Sequence, residues 1–73
     1  MIQTYTNQSG HTFTSLNLDP IEIYTNSDME GFYHGNTVTA LNGEQFTILD
    51  TKCVQGRTYR VLLLPVAQEA SHA

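Results

Sequence analysis

The stretch Gly35–Val66, GNTVTALNGEQFTILDTKCVQGRTYRVLLLPV, decides the fold. It reads as three consecutive antiparallel strands separated by two loops that each close on glycine, Leu41-Asn42-Gly43 and Val54-Gln55-Gly56. Asn-Gly between strand-like runs ordinarily signals a two-residue type I′ turn. Here that turn would pair Thr39 with Phe46 and put Val38 and Ala40 on the face opposite Phe46 and Ile48. A three-residue loop with Gly43 left-handed pairs Val38 with Phe46 instead and gathers all four apolar residues on one face. A one-residue slip turns every side chain over, so the apolar pattern selects the three-residue loop.

The same treatment of the second loop sets Ile48 opposite Leu62, Phe46 opposite Leu64 and Asp50 opposite Arg60. The opposite charges at Asp50 and Arg60 favour that register by about 0.2–1 kcal/mol. It follows that Leu49, Val61 and Leu63 face away from Phe46, Ile48, Leu62 and Leu64. A last strand apolar on both faces needs two covers, which makes Leu49, Val61 and Leu63 the expected interface with a protein partner or a second copy.

The chain has 73 residues, enough for one small domain that buries about 60% of its unfolded surface. With 40% hydrophobic and 14% charged residues it is too apolar for a disordered tail. Recurrent threonine, tyrosine, isoleucine and valine favour strands. Ile2–Thr6 reads as a first strand, Asn7–Gly10 as a turn and His11–Leu18 as the return strand. Asp19-Pro20 breaks the ladder, and Ile21–Thr25 is either a strand with Ile21 and Ile23 inward or a turn of helix. The expected architecture is all-β, a small antiparallel meander curled into a partly open SH3-like or OB-like barrel. A flat meander against a dimer mate comes second. Residues 1–66 form the domain, and residues 67–73 after Pro65 read as a frayed tail.

Nothing in the chain matches a catalytic motif. Cys53 is a single cysteine without a recognisable base and reads as a small strand-end residue. The irregular segment Asn26–Gly35 is the expected contact loop, with Asp28, Met29, Glu30, Tyr33 and His34 as its candidate residues and Phe32 as a core plug. Asp28, Glu30 and His34 are metal-compatible types at a spacing that matches no metal motif, so no metal and no cofactor is expected. No apolar run approaches the ~20 residues of a membrane span, and no basic region precedes an apolar one. A soluble, cytoplasmic protein that contacts no membrane is expected.

The run Asn42–Leu49, NGEQFTIL, followed by Tyr59–Pro65, YRVLLLP, resembles a family of short, uncharacterised bacterial proteins. The shared pattern is an Asp/Asn-Gly-Glu turn, a Phe-x-Ile/Val-Leu strand and a Tyr-x-Val-Leu-x-x-Pro strand, over roughly a third of the chain. The resemblance implies an all-β core and a bacterial cytoplasmic origin, with no assigned activity.

These readings point to a small non-enzymatic accessory module, bacterial or carried by a phage or other mobile element, that binds a protein or itself as a homodimer. The alternative is a single-strand nucleic-acid binder stacking bases on Tyr5, Phe13, Tyr24, Tyr33 or Tyr59. Seven acidic residues against three basic ones give a net charge of −4, which opposes binding to phosphate backbones.

Overall fold

Short alternating runs ended by glycine, asparagine or proline leave this chain little choice but strands, and the computed structural model, which describes residues 3–66, is all-β. The strands are β1 (Thr4–Asn7), β2 (Thr12–Thr14), β3 (Glu22–Thr25), β4 (Thr37–Ala40), β5 (Gln45–Gln55) and β6 (Thr58–Pro65). They form one antiparallel sheet in the order β2-β1-β4-β5-β6-β3. Alternation sends Tyr5, Phe13, Ile23, Val38, Phe46, Ile48, Val61 and Leu63 to one face, where they form the core. Tyr5 stacks on Phe13 at 5.1 Å between ring centroids and meets Phe46 edge-on at 5.9 Å. Each such ring contributes roughly 1.5–3 kcal/mol by leaving water.

The β4–β5 connection is the expected three-residue loop. Val38 lies opposite Phe46, the Ala40 N–H donates to the Glu44 carbonyl (2.9 Å), and Val38, Ala40, Phe46 and Ile48 are all buried. Gly43 takes a φ of +89°, a conformation side chains resist.

The β5–β6 hairpin departs from expectation. Ile48 lies opposite Leu63 and Phe46 opposite Pro65, one residue from the anticipated register. The ladder skips at Leu49 and again at Val54, so that Asp50 pairs with Leu62, Lys52 with Arg60 and Gln55 with Thr58. Val61 and Leu63 therefore point into the core and are fully buried, while Leu62 and Leu64 take the other face. Of the expected interface Leu49, Val61 and Leu63, only Leu49 is at the surface, at 51% exposure. The cause is the turn. Gly56, with φ +54°, occupies the first position of a two-residue Gly56-Arg57 loop, as a type II′ hairpin requires. The bulges then absorb Leu49 and Val54.

The N-terminal return strand is shorter than its sequence suggested. β2 stops at Thr14 because Ser15 turns the chain: its hydroxyl accepts the Gln3 N–H and donates to the Asn17 carbonyl. Asn17 then takes the place of a strand neighbour for β3, donating to the Glu22 carbonyl and accepting the Tyr24 N–H, both at 2.8 Å. Leu16, Leu18 and Ile21 are left exposed, so Ile21 does not point inward as expected, whereas Ile23 does. Asp19 closes this connection by accepting the Ile21 and Glu22 N–H groups.

The two edge strands, β2 and β3, meet without a ladder. The Leu16 N–H donates to the Tyr24 carbonyl (2.6 Å), and the Thr25 hydroxyl donates to the Thr14 carbonyl (2.6 Å). Ile2 and the expected tail 67–73 lie outside the described residues. No helix among the described residues is long and apolar enough to cross a membrane.

Candidate protein-contact surface

The segment between β3 and β4 is built as a plug with an exposed rim. Met29 and Phe32 are buried, and Phe32 meets Phe13 edge-on at 5.1 Å and 90°. A turn closed by the Phe32 N–H on the Met29 carbonyl sets both side chains inward. Asn7 locks the plug in place. Its amide donates to the Gly31 carbonyl (3.0 Å), and its side-chain oxygen accepts the Ser9 and His11 N–H groups. Burying Asn7 is tolerable because every polar atom of its side chain is paired. Met29 is therefore a core residue and not the contact residue its loop position suggested, while Phe32 is the plug that was expected.

The rest of the predicted contact loop is at the surface. Asp28, Glu30, Tyr33 and His34 are exposed, Tyr33 by 65%. The Asp28 carboxylate is engaged locally, accepting the Glu30 N–H. Gly35 and Asn36 continue the loop alongside β5, with the Gly35 N–H on the Ile48 carbonyl and the Ile48 N–H on the Asn36 carbonyl, both 2.9 Å. That pairing carries His34 to Asp50, where the imidazole Nε2 lies 3.4 Å from the carboxylate. Of the residues expected separately in the sequence, His34 is thereby brought to Asp50, the chain neighbour of Leu49. Asp50 was instead expected to pair with Arg60. Sequence offered no signal for the His34–Asp50 contact, which depends on the loop returning to β5.

No group of three metal-ligating side chains gathers among the described residues. Cys53 is exposed, with its thiol toward the Gly56 carbonyl at 3.1 Å. The resolved proton-affinity shifts have structural causes. Burial first, then the charges of Glu44 and Asp19, pushes the Tyr5 hydroxyl above its usual value. The Glu22 carboxylate, accepting the Tyr24 hydroxyl at 2.8 Å, raises Tyr24, and the neighbouring Arg60 partly opposes that. Backbone N–H groups of Glu22 and Ile21 hold Asp19 below the usual carboxylate value. Two surface cavities are present: one of ≈ 420 Å³ beside Thr37, Thr39 and Gln45 is lined mostly by amides and hydroxyls, and one of ≈ 350 Å³ is lined by Asn26, Asp28, Gly56, Arg57 and Tyr59. Of the rings named for base stacking, Tyr5 and Phe13 are core residues, Tyr24 and Tyr59 are half-buried and Tyr33 is exposed.

Comparison with protein-family models, with curated proteins and with solved structures finds no match to this chain.

Proposed function

We propose that this chain is a small non-enzymatic accessory module that acts by binding another protein, cytoplasmic and bacterial or carried by a phage or other mobile element. The observation that carries the reading is the exposed loop end, where Tyr33 is 65% exposed and His34 reaches Asp50 of β5, the residue after Leu49, which is itself 51% exposed. The buried Met29 and Phe32 beneath it anchor the loop backbone, which lowers the ordering entropy that binding there costs. The sheet serves as the frame. We read it as a partly open barrel of the SH3-like or OB-like kind, because β2 and β3 approach closely enough to bond.

A photo-crosslinking amino acid placed at Tyr33, with Leu41 on the β4–β5 loop as the control position, tests this in cells that express the chain. We expect a discrete protein adduct from position 33 alone, and loss of binding to the purified partner on Leu49→Asp. An adduct of twice the chain mass identifies a homodimer. Equal labelling from both positions, or full binding by Leu49→Asp, would contradict the reading.

A further inference from the structure

We propose that the second half of β5, Thr51–Gln55, receives an extended acidic segment of a protein partner as an added strand. The inference rests on the protein-binding reading and specifies the mode and chemistry of contact.

β4 follows β5 only as far as the Thr37–Thr47 pair, and Gly35 and Asn36 extend that side to Ile48. β5 then continues to Gln55 with β6 as its sole ladder neighbour among the described residues. On the far side of β6, β3 covers Tyr59 to Leu62. Within the β5–β6 hairpin, the open backbone edge therefore belongs to β5 and not to β6. Lys52, Cys53, Val54 and Gln55 are exposed, and no backbone bond to any other described element occupies that edge. An open edge presents unpaired N–H and C=O groups and is a template for another strand. Bulges at Leu49, before this segment, and at Val54, within it, keep an added strand to about five residues.

Charge selects the occupant. The three lysine and arginine residues of the chain, Lys52, Arg57 and Arg60, all lie on this hairpin, and no acidic residue occurs from Thr51 to Val66. Lys52 faces Arg60 directly across the ladder, a like-charge pair that opposes folding. Of the acids around the hairpin, Asp50 is turned to His34, Glu22 accepts the Tyr24 hydroxyl, and Asp28 lines a cavity beside Arg57, which leaves Lys52 as the cation on the open edge. A second copy pairing antiparallel at the same edge would bring two Lys52 side chains together, so self-addition is disfavoured. A carboxylate on an incoming strand would meet Lys52 and relieve its like-charge pairing with Arg60. A phosphate backbone offers the charge without the N–H and C=O groups that complete a ladder.

The test is fluorescence anisotropy on the full chain at low salt with a labelled peptide of about ten residues alternating Glu and Val. A second peptide has the same charge but is N-methylated at alternate residues, a third replaces Glu by Lys, and oligo-dT is the fourth probe. We expect the first peptide to bind, and its affinity to fall by about tenfold or more on Lys52→Glu and on N-methylation. Equal binding of the N-methylated peptide, equal binding of the Lys peptide, tighter binding of oligo-dT, or no binding of the first peptide would each overturn the proposal. If position 33 captures a protein and the acidic peptide fails to add, the edge proposal falls while the protein-binding reading survives.

Discussion

The two halves of β5 are one continuous strand under different constraints. From Gln45 to Ile48 it lies between β4 and β6, with Phe46 and Ile48 buried. From Asp50 to Gln55 it has β6 alone, and its last four residues are exposed. The first half holds the core together, whereas the second carries the Val54 bulge, Lys52 and a free edge. At about 3.4 Å per residue, the 11 residues of β5 span ~37 Å, which accounts for the long axis of a molecule measuring 40 × 24 × 22 Å. The contrast teaches that one strand can serve folding at one end and recognition at the other, provided its neighbours stop at different points.

The largest expected effect separates the halves. Ile48→Ala should cost about 2–5 kcal/mol in urea denaturation, while Val54→Ala stays within about 0.5 kcal/mol. Comparable losses at both sites would erase the distinction. Next, Leu63→Ala should destabilise by about 2–5 kcal/mol and Leu64→Ala by clearly less, because only Leu63 is fully buried. A reversed order would restore the register in which Leu62 and Leu64 face the core.

That register shows where the sequence was legible and where it was not. Around Gly43, only one loop length brought Val38, Ala40, Phe46 and Ile48 to a single face, so burial decided. Around Gly56, the run Val61-Leu62-Leu63-Leu64 is apolar on both faces and decided nothing. The opposite-charge pairing of Asp50 with Arg60 then tipped the choice, although it is worth no more than ~1 kcal/mol. Glycine at the first position of a two-residue turn was the better signal. In the contact loop, polar composition marked Asp28, Glu30, Tyr33 and His34 as surface residues. Met29 was missed because its burial comes from a plug over strands distant in sequence.

The hairpin ends sharpen the comparison further. Neither Gly43 nor Gly56 has an atom within 4 Å of where a Cβ would stand, so backbone conformation alone sets the penalty. Gly56 at +54° opens a type II′ turn, a position kept for glycine, whereas Gly43 at +89° sits at the left-handed bulge position of a three-residue loop, which asparagine also enters. Gly56→Asn should therefore cost about 1 kcal/mol more than Gly43→Asn in thermal unfolding. Equal costs would mean that both turns relax freely.

A smaller effect appears in alkali. Tyr5 and Tyr24 are both raised above 10.0 in the folded protein, so folding favours their protonated forms. Their contribution is complete below pH 10 and is lost as pH rises through the folded-state values. Tyr5→Phe should flatten the alkaline decline in stability, and an unchanged profile would remove that assignment. Least of all, His34→Ala should change stability by less than about 1 kcal/mol, since its pair with Asp50 is solvent-exposed.

Native-state hydrogen exchange along β5 tests the central claim most directly. With neighbours on both sides, the amides of Phe46, Thr47 and Ile48 should all be protected. Across Thr51–Gln55 protection should alternate, with amides turned toward β6 slow and those on the open edge fast. Uniform protection throughout Thr51–Gln55 would contradict a free edge and, with it, the division of β5 into a folding half and a recognition half.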